Sequence, residues 1–256
     1  MDFIKFTFTK KENIDNSVEE QEEFINDYLG TLFSNGQIHY DYSLVKKESI
    51  YFVFATLIAS DSLSEEFDNI YVKERKKKIK TIFDVKIEVL GKNVYSDNIC
   101  CCENKSGYLL FSCSTHYSSP IRCIDCWEFI PLYKFPYAPQ QEEYYHELNW
   151  ERTYKDIDEL WYQGLADRWT ERQMINPKSA LSKIGRKICK DFENATNKPF
   201  YYFLFDVDYN DKYRLHEKCP ECGEAWRVVQ VGGNTEKREL YFCDKCRLIS
   251  RKYWKE

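Results

Sequence analysis

Near its end the chain reads Cys219-Pro220-Glu221-Cys222-Gly223, then nineteen residues, then Cys243-Asp244-Lys245-Cys246, so twenty residues separate the two pairs. Two C-x-x-C pairs at this separation form a metal signature, because each tight turn aims two thiolates at one point and two turns complete a tetrahedron. Pro220 fits within such a turn, and Gly223 fits where the chain doubles back and a Cβ would be costly. Between the pairs, Ala225 to Val231 and Lys237 to Phe242 read as strands around Gly232-Gly233-Asn234, a turn that needs positive φ. The expectation is a C-terminal zinc ribbon with Cys219, Cys222, Cys243 and Cys246 as ligands. With four thiolates on the metal, no position is left for a catalytic water, so the site is structural. Redox-active or free cysteines are the competing reading.

A second group is less regular. Cys100-Cys101-Cys102 precedes Cys123-Ile124-Asp125-Cys126, again across twenty residues. A second zinc held by Cys100, Cys102, Cys123 and Cys126 would pair a C-x-C arm with a C-x-x-C arm, with Cys113 and His116 as spare candidates. The alternative is that Cys100 to Cys102 alternate across a strand as small apolar residues.

Upstream, residues 1–95 read as an α/β domain. Phe3 to Thr9 alternates as a half-buried strand should. Ser17-Val18-Glu19-Glu20 is a capping box ahead of a helix with Phe24, Ile25, Tyr28, Leu29 and Leu32 on one face. Ile38 to Val45 and Ile50 to Ile58 read as a strand pair, Ser62 to Lys80 as helix and Thr81 to Leu90 as strand. That order predicts a ferredoxin-like α/β sandwich. Lys73 to Lys80 carries six positive charges against one negative, which suits either phosphate contact or a solvated helix end.

A Cys-containing β segment is expected over 96–138 and a helical region over 139–198. Helices are predicted over Gln140 to Trp150 and Asp156 to Trp169. A third follows Asn176-Pro177, with Leu181, Ile184, Ile188 and Phe192 as its apolar stripe and Lys183, Arg186, Lys187 and Lys190 opposite. Phe200 to Val207 is an aromatic strand leading into the ribbon domain, 199–256. The fold class is α+β, built of several small modules.

The 256 residues are 43% hydrophobic with a net charge of −5, enough apolar content to fold and too little positive charge to wrap nucleic acid uniformly. Met1 to Lys5 lacks the pattern of a signal peptide, and the longest apolar run, Ile50 to Ala59, is too short to span a bilayer. Eleven cysteines without an export signal imply a cytoplasmic, reducing setting and metal rather than disulfides.

Several stretches carry a family resemblance. They are Ser119-Pro120-Ile121-Arg122-Cys123, Ile130-Pro131-Leu132-Tyr133, Ser179 to Arg186, Pro199-Phe200-Tyr201-Tyr202 and the two C-terminal cysteine pairs. Together they resemble a bacterial family described as zinc-ribbon-containing and nucleic-acid-binding, of otherwise unknown function. The resemblance covers mainly residues 100–256. It implies zinc and a cytoplasmic setting, and no reaction.

Catalytic motifs are missing. His146-Glu147-Leu148-Asn149-Trp150 begins like a zinc-protease helix, but Trp150 stands where the second histidine is required. Neither a phosphate-binding glycine loop nor a Gly-x-Ser-x-Gly elbow occurs. The expectation is therefore a non-enzyme. In one reading Arg227, Lys237, Arg238, Arg247, Arg251 and Lys252 contact nucleic acid, with Trp226 and Tyr241 stacking on bases or forming the ribbon core. In the other, acidic surfaces around Glu19 to Asp27 and Glu142 to Glu159 engage a basic protein partner, as an immunity protein neutralising a nuclease toxin would.

Overall fold

The computed structural model describes residues 1–12, 14–94, 96–115, 119–205, 218–231 and 238–251. These form an α+β protein with two sheets. The first unit runs β1 (Asp2–Lys10), α1 (Val18–Ser34), β2 (Ser43–Lys47), β3 (Ile50–Thr56), α2 (Ile70–Ile82) and β4 (Phe83–Lys92). Its sheet is antiparallel in the order β2-β3-β1-β4. The period-2 pattern of β1 sends Ile4, Phe6 and Phe8 inward, all fully buried under α1 and α2 together with Tyr28, Leu29 and Val72. The Ser17 cap forms as expected: Glu20 N donates to Ser17 Oγ at 3.2 Å, and Ser17 N donates to Glu20 Oε2 at 2.8 Å.

Two expectations shift at their edges. The strand pair is shorter, with β2 beginning only at Ser43. The helix predicted from Ser62 begins at Ile70, because Asn69 caps it by accepting from Val72 N at 2.8 Å.

The second unit contains β5 (Tyr108–Leu110), β6 (Ile121–Cys123), α3 (Tyr145–Tyr162), α4 (Asp167–Ile175), α5 (Ala180–Thr196), β7 (Phe200–Leu204), β8 (Arg227–Val231), β9 (Arg238–Cys243) and β10 (Leu248–Arg251). Its single six-stranded sheet has the order β6-β5-β7-β10-β9-β8. The pairings β5–β7 and β7–β10 are parallel. This sheet crosses the boundaries expected at 138 and 198, and one core joins Leu110, Ile121, Trp150, Phe192, Tyr202 and Leu248 across them. Leu109, Tyr201, Phe203, Phe242 and Ile249 form a separate buried cluster, as the alternation along β5, β7, β9 and β10 requires.

The helices differ most from expectation. The predicted break between 150 and 156 is absent: α3 is continuous. Its buried residues are Glu147, Leu148, Trp150, Glu151, Tyr154, Ile157 and Asp158, a full helical stripe once the carboxylates are counted. In α5 the inward face is Leu181, Ser182, Gly185, Ile188, Cys189 and Phe192, whereas Ile184 is 53% exposed.

The two units meet along specific polar contacts. Tyr137 Oη donates to Asn35 Oδ1 at 2.6 Å and Tyr144 N to Ser34 O at 2.9 Å. Asp61 accepts from Tyr133 Oη at 2.5 Å and Lys134 Nζ at 2.6 Å. Among the described residues no helix is long and apolar enough to cross a membrane.

Candidate metal centres

Two groups of four cysteines each bring their sulfurs within 4.8 Å of one another: Cys100, Cys102, Cys123 and Cys126, and Cys219, Cys222, Cys243 and Cys246. All eleven cysteines are free thiols. Sulfurs on a tetrahedron with metal–sulfur bonds of about 2.3 Å would stand roughly 3.8 Å apart. Cys222 Sγ and Cys243 Sγ, at 3.6 Å, fit that spacing.

Local backbone geometry explains the convergence. Gly223 N donates to Cys219 O at 2.9 Å, and Cys219 N to Glu224 O at 2.8 Å. Gly223 has φ +75°, so this turn needs a residue tolerant of the left-handed region. The same turn recurs in the other centre: Trp127 N donates to Cys123 O at 2.9 Å, Cys123 N to Glu128 O at 2.9 Å, and Trp127 takes φ +69°. Arg247, four residues after Cys243, also has positive φ, at +53°. Three C-x-x-C arms are thus built alike. The C-x-C arm brings its two sulfurs to the same point with a single residue between them, and that residue, Cys101, is exposed. Cys100 N is held by Phe129 O at 2.9 Å. Cys113 stands apart from both groups, with Sγ 3.3 Å from Thr115 Oγ1, and His116 lies outside the described residues.

The thiols respond to their surroundings. Burial pushes Cys126 up to about 12 and Cys243 to about 11, and raises Cys123 and Cys246 as well. A hydrogen bond from the Glu224 backbone holds Cys222 below the usual thiol range. Four mutually close, partly buried sulfurs are hard to ionise on their own; a bound divalent cation reverses this by stabilising the thiolates. Both donor sets fit a soft or borderline metal and suit it as a closed structural site.

The cations expected to contact nucleic acid are largely engaged elsewhere. Arg227 donates Nε and Nη2 to the two Asp244 oxygens, both at 2.8 Å. This pair holds the Asp244 carboxyl down at about 2, helped by Tyr201 Oη at 2.6 Å. Arg247 grips Glu193 with Nε and Nη2, each at 2.9 Å. Arg251 ends β10 half-buried. Only the backbone of Arg238 is described, opposite Val231, and Lys237 and Lys252 lie outside the described residues. Trp226 is buried in the core, so its ring serves packing rather than base stacking.

The acidic stretch 142–159 also turns inward in part. Glu151 is buried and closed onto Lys155 at 2.7 Å. Buried Asp158 accepts from Ser114 N at 2.7 Å. Glu147 is 1% exposed, and among the described residues its Oε2 has no hydrogen-bond partner. Burial raises its carboxyl to about 7. A raised acid binds more protons folded than unfolded, so stability falls as pH rises from the unfolded value near 4.5 to about 7, then levels off. Glu147→Gln is expected to flatten that slope and to raise stability at pH 8 by about 1–3 kcal/mol. Urea titrations of both proteins at pH 5 and pH 8 would check it; a larger gap at pH 5 would contradict the sign.

A small pocket of about 20 Å³ lies between the two units, lined by Phe33, Ile38, His39, Leu132, Leu148 and Glu151 among others. Burial lowers His39 to about 4, leaving it neutral near pH 7.

A sequence model described as Domain of unknown function (DUF2310) matches residues 102–205, and one described as Domain of unknown function (DUF8589) matches residues 2–91. An uncharacterised protein of Haemophilus influenzae (strain ATCC 51907 / DSM 11121 / KW20 / Rd) is 25% identical over 260 residues, covering 97% of this chain and 97% of the relative. A second uncharacterised protein of that strain is 27% identical over 199 residues, covering 75% of this chain and 93% of the relative. Among solved structures, SnoaB, a cofactor-independent oxygenase from Streptomyces nogalater, is 10% identical with a TM-score of 0.30, over 36% of this chain and 95% of that one. Rv0793 from Mycobacterium tuberculosis is 9% identical with a TM-score of 0.29, over 36% of this chain and 93% of that one. Likeness at that level carries no argument about activity. Over nearly its whole length the chain is similar to bacterial proteins of unknown function.

Proposed function

We propose that this chain is a non-catalytic, zinc-braced binding protein. The observation that carries the reading is the convergence of two separate four-sulfur sets, three of whose four C-x-x-C or C-x-C arms share one turn. In this reading both ions are zinc and structural. The Cys219 to Cys246 centre, with its β8–β9 hairpin, is a zinc ribbon, and the Cys100 to Cys126 centre fastens β6 to the segment that leaves the first unit. The β-α-β-β-α-β order and the strand order β2-β3-β1-β4 support a ferredoxin-like sandwich for that first unit. Four thiolates leave no open coordination position, which supports binding rather than catalysis.

The ligand in this reading is nucleic acid, met through local basic patches. With Arg227 and Arg247 closed onto carboxylates, the weight moves to the exposed lysines Lys73, Lys77 and Lys80 of α2 and Lys183 and Lys190 of α5. A specific observation favours a second reading, a basic protein partner. The Arg227–Asp244 and Arg247–Glu193 pairs reduce the positive face of the ribbon, while Glu19, Glu20 and Glu23 stay exposed on α1.

One experiment separates them. Protein purified without chelator is assayed for metal and then titrated with fluorescent single- and double-stranded oligonucleotides at several salt concentrations. The expected result is two zinc ions per chain and an affinity whose logarithm falls with log salt by about 0.7 per single-strand phosphate neutralised. Lys73→Ala with Lys77→Ala should reduce that slope by roughly 1 and weaken all sequences alike. Iron or no metal sinks the zinc assignment, and no binding at low salt leaves the protein-partner reading in its place.

A further inference from the structure

The strand β4 lies at one end of the first sheet, and among the described residues no strand pairs with its outer edge. It is ten residues long, and its side chains are unusual for an edge. Register with β1 sets Val85 beside Phe8, Ile87 beside Phe6 and Val89 beside Ile4. These β4 residues therefore point to the face where Ile4, Phe6 and Phe8 are fully buried. The helices cover Phe83 and pack partly on Val85, but Ile87 is 44% and Val89 63% exposed. A long edge with uncovered apolar side chains is a template for pairing with another strand.

The charges on the opposite face identify the occupant. Around Ile87 the strand reads Val85-Lys86-Ile87-Glu88-Val89. Antiparallel pairing of two such strands about a two-fold axis at Ile87 sets Ile87 against itself and Val85 against Val89. Lys86 of each copy then meets Glu88 of the other, giving two identical opposite-charge pairs. A twofold contact must be self-complementary, and this segment is. Glu88 already lies 2.7 Å from Lys5 on that face, so Lys86 of the second copy would extend an existing ion pair. The register shift between Phe3 and Ile4 leaves Leu90 as an extra residue. Such a bulge ends regular pairing, just beyond the self-complementary five.

We propose that β4 is a self-association edge, through which two copies of this chain join their four-stranded sheets into one continuous sheet of eight strands, centred on Ile87.

Sedimentation velocity of the full chain over a range of concentrations tests this. The parent is expected to sediment as a dimer. Lys86→Glu and Glu88→Lys each set like charges opposite one another at both pairs, and should weaken association by roughly tenfold or more. An equimolar mixture of the two variants should form a heterodimer, and the double exchange Lys86→Glu with Glu88→Lys should restore the homodimer. Ile87→Lys, with like charges on the axis, should give monomer. Both charge changes lie on exposed side chains, so circular dichroism should match the parent. A parent that stays monomeric overturns the proposal. So does a dimer that survives both single reversals, or a mixture that fails to re-associate.

Discussion

Protein carrying Cys243→Ser is expected to hold one metal ion fewer per chain than the parent and to lose hydrogen-exchange protection across β7 to β10. An all-thiolate zinc contributes on the order of 10 kcal/mol of apparent folding energy, comparable with the whole stability of a typical domain. Little else can replace it in the 218–251 region, whose strands are short and whose core residues Trp226, Leu240, Phe242 and Ile249 sit on both faces of the sheet. The loss should not stop at the hairpin. β10 pairs with β7, Tyr202 N donates to Arg247 O at 2.9 Å, and Ser250 Oγ donates to Leu204 O at 2.9 Å. Unfastening β9 and β10 therefore exposes the central strand β7. The first unit has its own core and should keep its protection from β1 to β4. Loss of protection spread evenly over β1 to β10 would mean one cooperative core and would refute this division. Cys123→Ser should also remove one ion, with loss centred on β5, β6 and the segment around Cys100.

Both cysteine groups could be read in the sequence, for different reasons. The C-x-x-C spacing advertises its own turn, so the ribbon candidate needed no tertiary knowledge. The C-x-C arm looked defective because a turn was expected of it, yet Cys100 and Cys102 converge with Cys123 and Cys126 without the C-x-x-C spacing. What escaped the sequence was non-local. The parallel pairings of β7 with β5 and β10 leave no signature in spacing, since nothing short connects such strands. Arg227 and Arg247 looked available because their carboxylates, Asp244 and Glu193, lie 17 and 54 residues away. The acids of α3 looked like a solvated face because charge was taken to mean exposure. Glu151 and Asp158 instead bring Lys155 and Ser114 N with them into the interior.

The misread stripe of α5 leads to a second large effect. Hydrophobicity alone selected Ile184, but the helix turns Gly185 inward instead. A Cβ on Gly185 would lie 2.2 Å from Tyr202 Cε2 and 2.8 Å from Trp150 Nε1. Both rings are confined: Tyr202 is fully buried, Trp150 is 2% exposed and donates Nε1 to Leu181 O at 3.3 Å, and the two rings stand 6.0 Å apart edge to face. Neither can rotate clear without displacing β7 or α3, so glycine is what allows α5 to approach the sheet. Gly185→Ala gains helix propensity of about 1 kcal/mol. Overpacking of this severity costs about 3 kcal/mol or more, so the net change is expected to be destabilising by about 2 kcal/mol or more in urea titrations. Tyr202→Leu removes the clashing ring edge and is itself destabilising through the cavity it leaves. Combined, the two changes should be less harmful than their sum by at least about 1 kcal/mol, the coupling expected of residues that share one space. Additive effects, or a stabilised Gly185→Ala protein, would show that α5 stands off from Tyr202 and that the close contact between helix and sheet is not what selects glycine there.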